Sequence, residues 1–333
     1  MLTSVKKFIF PAILLIFIGF IFGRLSNNEA LNNSKSSKAL RQGGYRYIDP
    51  LLLCDFGAQQ QPGEENKIGK KIKEIVDSAI INKEIDSASI YFRDLISGEW
   101  TSVNENEHYL PSSLGKIPIL ISYLKLAEEN PGILDKTLFY NGNYDDNKQQ
   151  EIIPEVSLVA GKSYPINELL FLMIAYSDNN STRLLYQNLD PVYIKDVYSS
   201  LSLPFKNNSQ GPEATDLLTV REYSRFFRIL FNSTYLSRES SEAVLKALTK
   251  VTFAKGLRAG IPKDIEISHK FGLASILDPI SKKITSRELH DCGIIYTKNP
   301  YLLCVMTKSS APLSKVENFI SSISEIAYKN SNN

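Results

Sequence analysis

The sequence predicts an α/β (α+β) protein in which an antiparallel sheet flanked by helices lies beside an all-helical lobe. Strand-like segments occur near the start of the folded part and again at its end, and the segments between them have helical periodicity. Because the first and last parts can pair in one sheet, the helices between them form a separate lobe. A functional site is expected in the cleft between the two lobes.

Composition excludes several classes of function. With 333 residues, 43% of them hydrophobic, the chain can bury a substantial core. Its formal charge is +2 and no basic cluster alternates with aromatic residues, which argues against nucleic acid as a partner. The three cysteines form no CxxC pair and the three histidines show no HExxH spacing. We therefore predict neither a metal nor a cofactor.

The N-terminus has the pattern of an export signal. Lys6 and Lys7 precede an uncharged apolar run from Phe8 to Gly23. The run is somewhat short for a membrane-spanning helix, which needs about 20 apolar residues. No A-x-A-like cleavage site follows, so the pattern favours a retained signal anchor over a cleaved signal peptide. We expect a single-pass cell-membrane protein with its bulk outside the cytoplasm, or a secreted or periplasmic one if the signal is cleaved.

Three regions follow from these patterns. Residues 1–24 are the signal anchor or signal peptide, and residues 25–44, rich in Asn, Ser and Lys, are a flexible linker. Residues 45–330 form one composite domain, with a sheet lobe at about 45–110 and 250–330 and a helical lobe at about 111–249. Strands are predicted in 88–103, 265–272 and 289–309, and helices in 113–129, 166–176, 181–189, 219–232, 238–250 and 312–329.

A serine and a lysine three residues apart, Ser113 and Lys116, open a predicted helix. The S-x-x-K pattern occurs three times, but Ser4 lies in the export signal and Ser122 lies midway along a helix. A serine hydroxyl needs a base within hydrogen-bond reach, and helix positions i and i+3 share a face. A lysine acts as that base only if burial or neighbouring cations lower its pKa, and the apolar segment that follows Lys116 indicates a buried setting.

Two further patterns fall at suitable places along the chain. Ser177-Asp178-Asn179 lies in a loop between two predicted helices, and Lys270-Phe271-Gly272 ends a predicted strand. In this order, S-x-x-K, S-D-N and K-x-G resemble the motifs of the penicillin-recognising serine hydrolases, and most of all those of the class A β-lactamase-like branch. The resemblance covers roughly residues 66–330. It implies a β-lactamase/transpeptidase-like fold and an acyl-enzyme mechanism.

The resemblance also implies a role for each matching residue. Ser113 would be the nucleophile, with its backbone N–H forming half of an oxyanion hole, Lys116 its base, and Ser177 the relay of a proton to the leaving nitrogen. Asn179 would bind the substrate amide or Lys116, Lys270 would attract the substrate carboxylate, and Gly272 would let the strand pair closely with the substrate backbone.

The chain departs from the class A pattern in two places. No E-x-x-L-N segment follows the S-D-N loop, and the connection there is shorter than in the family; its only glutamate, Glu213, is a weak candidate for activating water. Phe271 replaces the threonine of K-T-G, which removes one hydroxyl hydrogen bond to a substrate carboxylate. His269 and Arg287 are further weak candidates, the first for a pH-sensitive role and the second for a carboxylate contact.

Two cysteines flank the predicted C-terminal hairpin turn almost symmetrically. Cys292 and Cys304 could pair as a disulfide in an oxidising compartment, or they could be two small core residues, which is the safer interpretation.

Together these features predict a membrane-tethered extracytoplasmic serine hydrolase of the class A β-lactamase type, acting on a β-lactam or a D-alanyl-type amide. Acylation machinery is evident and dedicated deacylation machinery is not. Two alternatives stay open. One is a D,D-peptidase or transpeptidase relative acting on peptidoglycan stem peptides, and the other is a sensor that binds penicillin or peptidoglycan without turnover.

Overall fold

The computed structural model describes residues 40–53, 67–205 and 217–331 of the chain. All of these residues except Leu40 and Leu53 belong to one compact unit. The predicted signal segment, residues 25–39 of the predicted linker and Glu213 lie outside the described residues.

Five of the strands form one antiparallel sheet. In chain order the strands are β1 (Leu40–Arg41), β2 (Leu51–Leu53), β3 (Ser87–Asp94), β4 (Trp100–Val103), β5 (His108–Tyr109), β6 (Thr137–Tyr140), β7 (Lys162–Pro165), β8 (Leu218–Thr219), β9 (Ile267–Leu277), β10 (Ile284–Ile295) and β11 (Tyr301–Lys308). The large sheet has the order β4-β3-β11-β10-β9, and β1–β2, β5–β8 and β6–β7 are separate pairs. The prediction that the first and last parts of the domain share one antiparallel sheet is therefore confirmed.

The helices occur mainly between the two halves of the sheet. They are α1 (Lys67–Ile81), α2 (Lys116–Glu129), α3 (Ile166–Ala175), α4 (Asn179–Gln187), α5 (Pro191–Ser200), α6 (Val220–Phe231), α7 (Arg238–Leu248) and α8 (Leu313–Ser331). Each predicted helix is present, whereas the sequence interpretation missed α1 and α5. Of the helices described, none combines the length and the apolar character that crossing a membrane requires.

The sheet is buried on both faces, and this explains the continuous apolar sequence of its central strand. Successive side chains of a strand point to opposite faces. On β11, Leu302 and Met306 pack against the helical lobe, while Leu303 and Val305 pack against α1 and α8. All four are fully buried. A strand of this kind shows no alternation of polar and apolar residues.

Cys292 and Cys304 form a disulfide across the sheet. They are direct partners in the register of β10 and β11, and both are fully buried. The interpretation as two unlinked core residues, which the sequence favoured, is replaced by a cross-strand disulfide on the helical-lobe face.

Candidate active site

Ser113 lies in a single 3₁₀ turn, Ser112–Gly115, that leads directly into α2. The Leu114 N–H donates to the Pro111 carbonyl at 3.0 Å and closes the turn. Ser112 has a φ of +50°, in the left-handed region that non-glycine residues rarely adopt. Strain of this kind persists only where surrounding contacts over-determine the conformation.

Lys116, in the first turn of α2, reaches the hydroxyl of Ser113. Its Nζ lies 2.8 Å from Ser113 Oγ, and its side chain is fully buried. The same nitrogen lies 2.9 and 3.0 Å from the carbonyl and hydroxyl oxygens of Ser177 and 2.5 Å from Asn179 Oδ1. The structure therefore brings together the serine, the lysine and two of the predicted partners from the S-D-N loop.

The S-D-N loop is shaped by its own backbone and by a side chain that the sequence interpretation missed. Ser177 has a φ of +58°, and Asp178 caps α4 by accepting the Ser181 N–H. The buried Asn147 donates to Asp178 Oδ2 at 2.6 Å and accepts the Asn179 N–H at 2.8 Å. No local pattern identified Asn147, since its partners lie about 30 positions away.

Lys270 approaches the same loop from the sheet. It is fully buried, and its Nζ donates to Ser177 Oγ and to the Phe271 carbonyl, each at 3.0 Å. Ser177 Oγ thus accepts hydrogen bonds from both Lys116 and Lys270. A lysine acts as a general base only in its neutral form, and the burial of both side chains disfavours the charged form.

Phe271 and Gly272 are shaped by the protein's own packing. The Phe271 ring stacks on Phe253, with centroids 4.1 Å apart, in the core between the sheet and α8. A Cβ at position 272 would lie 2.7 Å from the Pro111 oxygen and 3.1 Å from the Leu114 nitrogen. Gly272 is therefore required by the turn that carries Ser113, in addition to the substrate pairing that the sequence predicts.

β9 is an edge strand, and its open edge presents backbone groups to the site. Arg287 and Ser309 exchange both of their backbone hydrogen bonds. In an antiparallel sheet, the backbone N–H and C=O groups of successive residues point to opposite sides of the strand. Followed from this pair along β10 and across to β9, that alternation places the N–H and C=O groups of Phe271 and Leu273 at the open edge. Leu273, which the sequence interpretation did not single out, lines the cavity together with Ser113.

A cavity of about 840 Å³ opens at Ser113. Ser113, Asn179 and Leu273 line it, together with two carboxylate residues, Asp146 and Glu151. Asp146 pairs with Arg183 at 3.3 Å, and Glu151 pairs with Arg287 at 2.9 Å. Within the described ranges, no group of three or more His, Cys, Asp or Glu residues could hold a metal ion.

Arg287, the weak candidate for a contact with a substrate carboxylate, makes a contact within the protein. Its guanidinium donates to both carboxylate oxygens of Glu151, which also accepts from Ser275 Oγ at 2.8 Å. These hydrogen bonds, that from Arg287 above all, lower the pKa of Glu151. Arg287 is not among the described residues that line the cavity.

His269 is directed away from the reacting groups. It precedes Lys270 on β9, so its side chain lies on the other face of the strand. There Nδ1 lies 2.9 Å from Asp291 Oδ1, and both side chains are buried. Asp291 in turn accepts the Leu257 N–H at 2.9 Å. The structure thus gives His269 a partner in the core and no contact with Ser113.

Comparison with solved structures shows the same fold. A β-lactamase from Sphaerobacter thermophilus matches with a TM-score of 0.66 and 20% identity over 79% of this chain and 97% of that one. PBP-A matches with the same TM-score and identity over 82% and 99% of the two chains. TLA-3 extended-spectrum β-lactamase matches with a TM-score of 0.66 and 18% identity over 79% of this chain and 99% of that one. No curated protein matches the chain.

The profile of a family described as the β-lactamase enzyme family matches residues 67–331, which is most of the chain and contains Ser113 with Lys116, the S-D-N loop and the K-x-G strand. The chain therefore belongs to the β-lactamase enzyme family.

Proposed function

We propose that this protein is a membrane-tethered, extracytoplasmic serine hydrolase that forms an acyl-enzyme on Ser113 with a β-lactam or a D-alanyl-type amide. The observation that carries the proposal is the 2.8 Å contact of Lys116 Nζ with Ser113 Oγ. This contact continues through Ser177 Oγ to Lys270. A nucleophile, a base and a proton relay are thus within hydrogen-bond reach of each other.

The geometry supports the following acylation step. Neutral Lys116 takes the proton from Ser113 Oγ, and the oxygen attacks the carbonyl carbon of the substrate amide. The N–H groups of Ser113 and Leu273 stabilise the oxyanion that forms. Ser177, which contacts both lysines, passes a proton to the amide nitrogen as the C–N bond breaks, and Lys116 returns the proton to Ser177. The products are a Ser113 ester and a free amine.

Lys270 provides the positive charge that attracts a substrate carboxylate to this end of the site. Its position beside Ser177 suits a β-lactam or a C-terminal D-alanine, because each carries a carboxylate near the scissile amide. A PBP-A variant with 20% identity to this chain is described as an acyl-enzyme complex with penicillin G. That description supports penicillin as the first substrate to test.

The carboxylates of the described cavity lining support a second candidate function, a D,D-peptidase or a penicillin-binding protein with slow turnover. Among the described residues that line the cavity, the two carboxylates are both engaged by arginines. Neither is therefore set to activate water for release of the acyl group. Glu213 lies outside the described residues and is still a weak candidate for activating that water.

The proposed location comes from the N-terminal sequence. Two lysines followed by an apolar run without a cleavage site indicate a signal anchor. Fractionation of cells that produce the full chain tests this: we expect the protein in the membrane fraction, accessible to protease from outside. A soluble form that lacks the first 24 residues would instead indicate a cleaved signal.

Acylation is tested with fluorescent penicillin, and turnover with a chromogenic cephalosporin. Ser113→Ala should abolish labelling. Ser122→Ala is the matched control, because Ser122 is a buried serine of α2, the helix that follows the Ser113 turn, and its hydroxyl donates to the Pro118 carbonyl. Labelling without turnover would favour the peptidase or sensor function, and turnover that survives Ser113→Ala would contradict the mechanism. Absence of labelling in the wild type would point to a different amide or ester.

A further inference from the structure

Two side chains of β10 hold the peptide groups of Leu110 from both sides. Glu288 Oε2 accepts the Leu110 N–H at 2.9 Å, and His290 Nε2 lies 2.9 Å from the Leu110 carbonyl oxygen. The two residues are two positions apart and therefore share one face of the strand. Glu288 is 5% exposed and His290 is fully buried, so water cannot readily replace either contact.

The contacts of His290 determine which ring nitrogen carries the proton. The Thr307 N–H points at Nδ1 at 3.3 Å and can only donate. The Leu110 carbonyl can only accept, so Nε2 must carry the hydrogen. The ring of Tyr109 packs edge-on against it, with centroids 5.4 Å apart.

Glu288 keeps its charge in this setting. Burial raises the pKa of Glu288, but hydrogen bonds with His290 and with the Leu110 N–H outweigh that effect and bring the pKa below its ordinary value. A charged acceptor holds a backbone N–H more strongly than a neutral one. The Leu110 N–H is therefore held by a carboxylate and its carbonyl by an imidazole.

The turn that carries Ser113 has a backbone conformation that contacts with distant segments must stabilise. Ser112, two residues after Leu110, has the left-handed φ of +50°, which the local sequence does not favour. After the nucleophile, Tyr223 donates its hydroxyl to the Leu114 carbonyl at 2.9 Å. The segment from Leu110 to Leu114 is thus held at its start by β10 and at its end by α6.

We propose that Glu288 and His290 are positioning residues that impose the turn at Ser112 and thereby aim Ser113 at Lys116. The hydrogen bonds of both residues to this segment end on the Leu110 backbone, so both act through Leu110. The kinetic test of this role rests on the proposed acylation of Ser113. The contacts with Leu110 are tested separately, by hydrogen–deuterium exchange without substrate.

The kinetic test compares variants that keep or remove the hydrogen bond to Leu110, in the full chain. His290→Leu cannot donate, whereas the side-chain amide of His290→Gln can. We expect His290→Leu to lower the acylation rate constant with fluorescent penicillin on the order of 10²-fold, as a misplaced nucleophile does. The affinity of the non-covalent complex should change less than about threefold, and His290→Gln should recover most of the lost rate.

Ser324→Ala is the control for a general loss of stability. Ser324 in α8 is fully buried and donates one hydrogen bond, to the Leu257 carbonyl at 2.8 Å. It contacts no part of the Ser113 turn, so its removal should leave the acylation rate constant unchanged. The proposal is overturned if Ser324→Ala slows acylation as much as His290→Leu does. It is also overturned if His290→Leu acts on affinity alone, or if His290→Gln is as slow as His290→Leu.

Hydrogen–deuterium exchange tests the same contact without any substrate. We expect slow exchange of the Leu110 and Leu114 N–H groups in the wild type, faster exchange in Glu288→Leu and His290→Leu, and no change in Ser324→Ala. Unchanged exchange in both β10 variants would overturn the proposal. If penicillin labels no form of the protein, the acylation proposal fails while this measurement still decides on the role of Glu288 and His290.

Discussion

Replacement of Gly272 by alanine should push strand β9 and the turn that carries Ser113 slightly apart. The new Cβ would lie 2.7 Å from the Pro111 oxygen and 3.1 Å from the Leu114 nitrogen, both backbone atoms. To reach an ordinary contact of 3.4 Å from that oxygen, the strand or the turn must move by about 0.7 Å. Neither side yields easily, because β9 pairs with β10 along its length and the turn is held by Leu110 and Tyr223.

The expected magnitudes follow from that displacement. Overpacking of this size lowers the free energy of unfolding by about 1–3 kcal/mol. Because Ser113 and the Leu273 N–H must converge on one carbonyl, the rate of acylation should fall on the order of 10²-fold. Urea unfolding measures the first quantity, and stopped-flow labelling with fluorescent penicillin measures the second.

Gly132→Ala is the matched control for this prediction. A Cβ there would meet only Asn130 Oδ1, at 3.8 Å, so the substitution changes backbone entropy without a clash. It should leave the acylation rate unchanged. If Gly272→Ala acylates at the wild-type rate with wild-type stability, the contact between β9 and the Ser113 turn does not constrain the site, and the reasoning fails.

Three further predictions concern the surroundings of the site. Asn147→Ala removes the amide that joins Asp178 to the Asn179 N–H. It should lower the free energy of unfolding by about 1–3 kcal/mol and slow labelling by fluorescent penicillin. Wild-type values for both would contradict this. Because the pKa of Glu288 is lowered in the folded state, its charge stabilises the protein above the ordinary glutamate pKa of about 4.3, and that contribution is lost as the pH falls through the lower folded value. The difference in unfolding free energy between wild type and Glu288→Gln should therefore be constant near pH 7 and shrink below about pH 4; a difference independent of pH would refute it. Reduction of the disulfide between Cys292 and Cys304, 12 residues apart, should lower the free energy of unfolding by about 3 kcal/mol, whereas a double-alanine variant should not respond to reductant.

Local sequence determined the elements of the site because those elements depend on short-range chemistry. The apolar run before Ser177 predicted α3, and the S-D-N residues marked its end because Asp178 caps the next helix. Helical spacing alone placed Lys116 beside Ser113, and the structure has the same contact. The pairing of the first and last parts of the domain in one sheet also followed from the order of strands and helices.

The sequence interpretation missed contacts in which a side chain has a distant partner. Arg287 was a candidate ligand for a substrate carboxylate, and in the structure its Nε donates to both carboxylate oxygens of Glu151, 136 positions away. Gly272 was predicted to allow close pairing with a substrate, and the structure adds that a Cβ there would meet the Pro111 oxygen. Asn147 carried no motif at all.

The sequence by itself therefore determined which residues could carry the chemistry: a nucleophile, two lysines and a relay serine, each in a recognisable local pattern. Only the tertiary structure decided how they are aimed. The left-handed φ of Ser112 is unfavourable locally, and it is held by Glu288 and His290, about 180 positions further along the chain. Hydrogen bonds between such distant segments exist only once the sheet has formed, so no local pattern can encode them.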